Sequence, residues 1–431
     1  MKKPTLNIAI LLIFFPLLIQ CQETYPITTE SSSRILKMIS SDEMRGRRAL
    51  TPDIEKAADF IVSEFENTSL TPLPGSSSFK QSFNLSEFNI ESATLTFDGS
   101  LVARNNFFGF IYTDELNWNG ESVSTATIEK GENFQQKFGE YSNTENDLLI
   151  FVDQSHEGIF SRYQPFFSRP SRTVDTNGKS NVVFVMVSET PGEFSVNIEA
   201  SVEEKPLTNI VGIIEGKRTD EIVLFSAHYD HIGIQAPVEG DSIANGANDN
   251  GSGVTAVIEL ANYFSSQGKP ERTLMFATFT AEEIGGYGSQ YFSKQLDPDE
   301  IIAMFNIEMI GKPAVAGPNT AWITGYDRST FGELLSNSAP DSVYDFYPDP
   351  YPQQNLFYRS DNATLARLGV PAHSISTTPI DVDLDYHKVS DEFETINIYH
   401  MTNTIKAIAN AAKGMISGKD TPTRVDKSLV D

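Results

Sequence analysis

Apolar residues recur along this chain in three successive rhythms. From Ser31 the spacing is helical: Ile35, Leu36 and Ile39 fall on one face of a predicted helix. Pro52 to Val62 predicts a second amphipathic helix, with the proline in its first turn. From about Glu91 the period shortens to two. Ala93–Phe97, Phe107–Tyr112, Leu148–Val152 and Val182–Val187 read as strands, with few helical patterns between them. From Asn209 strand-length apolar runs alternate with helical segments. Strands are predicted at Asn209–Ile214, Ile222–Phe225, Thr273–Thr278, Ile301–Ile307 and Ala372–Ser376. Helices are predicted at Gly253–Phe264, Gly288–Lys294, Asn362–Leu368 and Tyr399–Met415.

The last rhythm predicts an α/β fold: a mixed, largely parallel central sheet with helices on both faces. The middle rhythm predicts an inserted β-rich domain. The expected organisation is therefore 31–88 as the first part of the main domain, 89–204 as the insert, and 205–416 as the rest. The polar stretch 417–431 is expected to be a disordered tail. The insert's aromatics Phe160, Tyr163, Phe166 and Phe167 read either as loop packing or as a lid over a cleft.

Met1 to Cys21 reads as an export signal. Lys2 and Lys3 precede an apolar run from Ile8 to Ile19, too short to span a bilayer and interrupted by Pro16. Leu18-Ile19-Gln20-Cys21 resembles a bacterial lipoprotein signal with Cys21 as the lipidated residue; Gln20 departs from the usual small residue and leaves a plain secretory signal open. Either form places the mature protein outside the cytoplasm, in the cell envelope or secreted. Membrane contact is expected only through the lipid on Cys21.

Composition narrows the chemistry. The 431 residues carry a formal net charge of −26, which argues against nucleic acid as a partner. Cys21 is the single cysteine, so any metal must be held by histidines and carboxylates. Such residues gather where predicted strands end. His228, Asp230 and His231 follow the strand Ile222–Phe225. Asp249 precedes a helix, Glu282 and Glu283 follow Thr273–Thr278, and Asp385 and His387 come later. In open α/β sheets the carboxyl edge is where sites collect, and this donor set suits zinc.

Six motifs in order carry a resemblance to a known family. They are His228-Tyr229-Asp230-His231, Ala247-Asn248-Asp249-Asn250-Gly251-Ser252-Gly253, Ala281-Glu282-Glu283, Asn306-Ile307-Glu308-Met309-Ile310-Gly311, Ser360-Asp361-Asn362, and Tyr386-His387 with Asp391. The chain resembles the co-catalytic di-zinc aminopeptidases, a family that also contains glutamate carboxypeptidase and the glutaminyl cyclases. The resemblance covers about 31–85 and 208–416 and implies the zinc exopeptidase fold. It implies two zinc ions, with other divalent metals possible. His228, Asp249 and Glu308 would hold one ion; Asp249, Glu283 and His387 would hold the other, with Asp249 bridging. It further implies Glu282 as general base and Asp230 as the carboxylate that orients His228. Peptides would be the substrates.

Other residues near these motifs carry plainer readings. His231 reads as a hydrogen-bonded structural histidine, His373 as a core or edge residue, and His400 as a helix-surface residue. Asp361 is a cleft residue or a helix cap. Asp391 is expected to fix the loop carrying His387, and Gly251 and Gly253 to let the backbone turn into the helix behind Asp249. Glu308 is a departure, since many members have Asp there. Its extra methylene moves the oxygens by on the order of 1 Å, so the backbone must sit further back or the rotamer must differ. Two further readings share the fold. One is a glutaminyl cyclase-like acyltransferase using one zinc, which metal content would separate. The other is an inactive binding protein, against which the intact Glu282 and ligand set count.

Overall fold

The computed structural model describes residues 25–338 and 344–430. The signal and anchor expected over Met1–Cys21 lie outside them. The strand Arg218–His228 runs through the middle of the main sheet, parallel to Arg272–Phe279 on one side and Ile301–Ile307 on the other. Ala372–Ser376 extends the parallel set beyond Ile301–Ile307. The sheet turns mixed outside this core. Thr320–Ile323 pairs antiparallel with Ala372–Ser376, and the long strands Phe194–Ile214 and Lys80–Phe97 add antiparallel partners beside Arg272–Phe279.

Both faces of the central strands are covered, which explains their nearly unbroken apolar runs. Side chains alternate across a strand, so Val223 and Phe225 face one layer and Ile222 and Leu224 the other. The first pair packs with Ile35, Ile61, Val257 and Ile405, from the helices Thr29–Ile39, Asp53–Glu66, Gly253–Ser265 and Ile398–Ala411. The second pair packs with Phe292 and Leu365, from the shorter helices Tyr287–Ser293 and Asn362–Ala366. The parallel strands therefore end along one edge, and His228, the Glu282–Glu283 pair and Glu308 leave the sheet there.

The insert differs from its expected form in two ways. Its boundaries fall inside Lys80–Phe97 and Phe194–Ile214, which run unbroken from the main sheet into the insert. A bulge between Ile90 and Ser92 breaks the two-residue period, so the first half of that strand escapes a periodicity reading. The insert also contains two helices, Phe134–Ser142 and Glu157–Phe167, beside a sheet of four strands. Phe160, Tyr163 and Phe167 lie on the second helix and pack around Phe108, Phe138 and Phe184. They are core residues of a helix–sheet layer.

Two local expectations are corrected. The tail after Ser417 is ordered against the main domain: Arg272 donates to the Asp420 carbonyl at 2.8 Å, Arg424 donates to the Ile301 carbonyl at 2.8 Å, and Val425 is buried. Its polar composition conceals that side chains elsewhere hold its backbone. His400, expected on a helix surface, is buried in the first turn of Ile398–Ala411, and its Nε2 has no hydrogen-bond partner.

His373 is also buried; its Nδ1 donates to the Thr324 carbonyl at 2.8 Å and its Nε2 accepts from Ser329 Oγ at 2.7 Å. Burial holds both His373 and His400 down at about 4. In the unfolded chain they protonate near 6.5, so between about pH 6.5 and 4 the unfolded state binds more protons. Stability should fall as pH falls through that window, by roughly 3 kcal/mol for His373 alone. Urea denaturation across this range should show the slope, and His373→Gln should flatten it. An unchanged slope in the variant contradicts the assignment.

Candidate metal centre

His228 is the last residue of its strand, and the next backbone N–H, of Tyr229, donates to the Phe279 carbonyl of the neighbouring strand at 2.8 Å. That bond keeps the two strands in register at the edge. His228 Nε2 stands 3.3 Å from Asp249 Oδ1 and 3.2 Å from Glu308 Oε1. His387 Nε2 stands 3.1 Å from Asp249 Oδ2 and 3.1 Å from Glu283 Oε2. The two oxygens of Asp249 thus face different imidazoles, and each imidazole has a second carboxylate of its own. All five residues expected to hold metal converge.

A tight turn presents Asp249. The N–H groups of Asn248 and Asp249 both donate to the Asp391 carboxylate at 2.9 Å, and the N–H of Ala247 donates to the Asp391 carbonyl at 3.0 Å. Asp391 therefore ties the Asp249 turn to the loop that carries His387, rather than fixing that loop alone. Gly253 serves a different purpose from the turning freedom expected of it. Its backbone is right-handed, and a Cβ there would stand 2.3 Å from the Ile307 carbonyl oxygen. Only glycine lets the helix start approach the Glu308 strand so closely.

Glu308 points at His228 despite its extra methylene. Its second oxygen accepts from Ser360 Oγ at 2.8 Å, and Ser360 in turn accepts from Asn306 Nδ2 at 2.7 Å. Ser226 completes the chain by donating to Asn306 Oδ1 at 2.8 Å. The longer arm is thus braced from behind by a serine that sequence reading placed in a motif without a role.

Asp230 is fully buried, but its carboxylate does not orient His228 as expected. His228 Nδ1 donates to the Asp230 backbone carbonyl at 3.1 Å, and the carboxylate oxygen lies 3.8 Å away. That carboxylate instead accepts from the N–H groups of Glu282 at 3.0 Å and Glu283 at 3.3 Å. It fixes the backbone of the glutamate pair. His231 matches its structural reading: Nδ1 donates to Glu283 Oε1 at 2.8 Å, behind the oxygen that faces His387. It also lies 3.8 Å from Asp249 Oδ2, so it too could reach a metal beside these carboxylates. His387 lines the open cleft whereas His231 is wholly buried behind Glu283, which favours His387 as the ligand.

Asp361 is buried beside the site and makes no capping bond to its helix; burial raises it to about 6. Asp385 pairs with Lys312 at 2.7 Å and plays no part here. The cation that sequence reading missed is Arg47. It is fully buried and donates to the carbonyls of Tyr229, Ile39, Asn245 and Gly246, under the turn that carries Asp249. Nothing in the Arg45-Gly46-Arg47-Arg48 stretch distinguishes it from a solvated loop.

Electrostatics follow from this crowding. Burial opposes charge on His228, but Glu308, Glu282 and Asp249 outweigh it and hold the imidazole well above its ordinary range. Burial likewise opposes charge on His387, yet its bonds to Asp249 and Glu283 raise it to about 10. Asp249 is pushed well below the usual carboxylate range; burial acts the other way, but bonds from His228 and His387 prevail. Glu282 is pushed well above it, by burial first and then by Asp361, Glu283 and Glu308, against the pull of His228. The donor set is oxygen and nitrogen: ligand atoms of His228, Asp249 and Glu308 lie within 4.8 Å of one another, as do those of His231, Asp249 and Glu283, and His387 Nε2 stands 3.1 Å from both Asp249 and Glu283. It fits zinc at both positions.

Comparison with known proteins places this architecture. Residues 209–412 match the profile of Peptidase family M28. Over 259 residues the chain is 28% identical to leucine aminopeptidase 2 of Trichophyton rubrum, a match covering 54% of this chain and 50% of the relative. Over 223 residues it is 30% identical to a probable leucine aminopeptidase 1 of Trichophyton verrucosum, covering 46% and 56%. The chain thus spans about half the length of the curated relatives it matches. Among solved structures, a zinc aminopeptidase from Bacillus subtilis superposes with a TM-score of 0.55 at 17% identity, covering 92% of this chain and 97% of that one. An aminopeptidase from Aneurinibacillus sp. strain AM-1 gives 0.52 at 18% identity, covering 94% and 96%. At those identities the likeness is one of fold.

The brace behind Glu308 generates an expectation. Ser360→Ala leaves Glu308 without its fixed partner and should weaken a zinc ion on the His228 side by about 10–100-fold. Glu308→Gln should weaken it more, and neither should move the affinity on the His387 side as far. Competitive zinc titration against a chelating dye reads both sites. Two undiminished sites in Glu308→Gln would show that Glu308 is not a ligand.

Proposed function

We propose, from the premise that this chain belongs to peptidase family M28 through residues 209–412, that it is a zinc-dependent aminopeptidase using two ions. The observation that carries the reading is the division of Asp249, one oxygen toward His228 and Glu308, the other toward His387 and Glu283. In this reading His228, Asp249 and Glu308 hold one ion, and Asp249, Glu283 and His387 the other. Bound zinc supplies a Lewis acid for the peptide carbonyl and makes water a better nucleophile.

The chain's own residues do the rest. Glu282 lines the same cleft and has its backbone fixed by Asp230. Its raised proton affinity suits a base that takes a proton from the attacking water and delivers it to the departing nitrogen. Tyr386 stacks on His387 with ring centroids 4.0 Å apart and limits how that imidazole can tilt. Beside the imidazoles, Met309, Trp322, Leu356 and Ile380 form an apolar recess. It suits the side chain of an apolar N-terminal residue, and the leucine aminopeptidases among its relatives support that choice.

Hydrolysis of leucyl p-nitroanilide by the zinc-loaded protein, beside its N-acetylated form, tests the reading. The free-amine substrate should be cleaved and the blocked one should not. Glu282→Gln should retain zinc while turnover falls by roughly 10²–10⁴-fold. Loss of zinc from Glu282→Gln would make Glu282 a ligand and reverse the roles of the pair. Equal cleavage of blocked and free substrates would contradict an aminopeptidase.

A further inference from the structure

A second cleft, of about 1010 Å³, opens beside the metal centre, and none of the apolar recess residues lines it. Glu282 lines both spaces, and so does Arg359. The outer wall comes partly from the insert, through Thr173 and Lys179. Asp175 of the insert pairs with Lys294 at 2.8 Å, which fastens this stretch to the helix Tyr287–Ser293. Lys179 and Arg359 are exposed and make no ion pair among the described residues. Lys179 lies over the ring of Tyr112, and Arg359 donates to Tyr386 Oη at 3.3 Å and Gln354 Oε1 at 3.5 Å. Lys294 and Arg367 add further cationic side chains to the lining. Its carboxylates, Glu282 and Asp361, both lie at the inner end. In a chain of net charge −26, a cation-rimmed cleft opening from the site is an exception that concentrates anions locally.

The chemistry fixes which part of a substrate enters it. Glu282 must reach the departing nitrogen to protonate it, and of the two spaces it lines, the one without the apolar recess is left for the leaving portion. The side chain of the first residue occupies the apolar recess. We infer that this cleft receives the leaving portion of the peptide, and that Arg359 and Lys179 select leaving groups bearing a carboxylate within the first residues after the cleaved bond. The carboxylate is either a free C-terminus or an acidic side chain. Short peptides and acidic peptides are then preferred over neutral, blocked ones. The inference rests on the aminopeptidase reading and on Glu282 as its proton carrier.

The test is kcat/KM of the zinc-loaded full chain at low salt for four substrates: Leu-Ala-Ala, Leu-Ala-Ala-amide, Leu-Ala-Asp-amide and leucyl p-nitroanilide. At least one carboxylate-bearing tripeptide should exceed Leu-Ala-Ala-amide by roughly tenfold, and which one does so identifies the source of the carboxylate. High salt should shrink the ratio. In the double variant Lys179→Gln, Arg359→Gln the ratio of carboxylate to amide substrates should fall toward one. Equal rates for the three tripeptides in the native protein overturn the inference, as does a preference that survives in the double variant. A native protein that cleaves none of the four, anilide included, overturns the aminopeptidase reading itself and the inference with it.

Discussion

Seven carboxylates crowd the carboxyl edge of the central strands: Asp230, Asp249, Glu282, Glu283, Glu308, Asp361 and Asp391. Two such charges about 4 Å apart repel by roughly 4 kcal/mol at an effective dielectric of 20. The fold can hold them together only by supplying compensation, and its local architecture does so in layers. Backbone N–H groups satisfy Asp230 and Asp391 from below. Arg47 places a buried cation under the turn; burial opposes its charge and lowers it to about 10, while Asp391, Asp249, Asp230 and Glu283 all favour it. The imidazoles of His228 and His387, both held above their ordinary range by these carboxylates, offset further charge, and zinc held by the same residues would do so more completely.

The same constraint explains the rigidity around the site. Asp391 and Asp230 each bind two consecutive backbone N–H groups. Their carboxylates therefore set the position of Asp249 and of the glutamate pair without facing the cleft themselves. Serine and asparagine side chains do the equivalent work behind Glu308. Side chains fixed this way by the protein itself would need little reorganisation to bind an ion.

Much of this was legible in the sequence. The central strands are buried on both faces, so their apolar runs stand out, and the ligand-type residues follow directly at their ends. Glu308 could be placed with His228 only through the resemblance to the di-zinc aminopeptidases. Other features depend on contacts that no local pattern encodes. The Asp230 carboxylate lies close to His228 in sequence, yet it satisfies N–H groups more than fifty residues away. Arg47 is a loop arginine until the carbonyls around it are seen. The strand crossing the 88/89 boundary is hidden by one bulge, and the ordered tail is held by Arg272 of a central strand and by its own Arg424 reaching the Ile301 carbonyl. Lys179 and Arg359, 180 residues apart in sequence, become neighbours of one cleft only once the insert folds over the helix Tyr287–Ser293.

The central claim is that Asp249 is shared between two ions. Anomalous diffraction at the zinc edge from crystals of the zinc-loaded protein addresses it directly. Two peaks should flank the Asp249 carboxylate about 3.5–4 Å apart, one beside His228 and Glu308, the other beside His387 and Glu283. A single peak in crystals of fully active protein would contradict it.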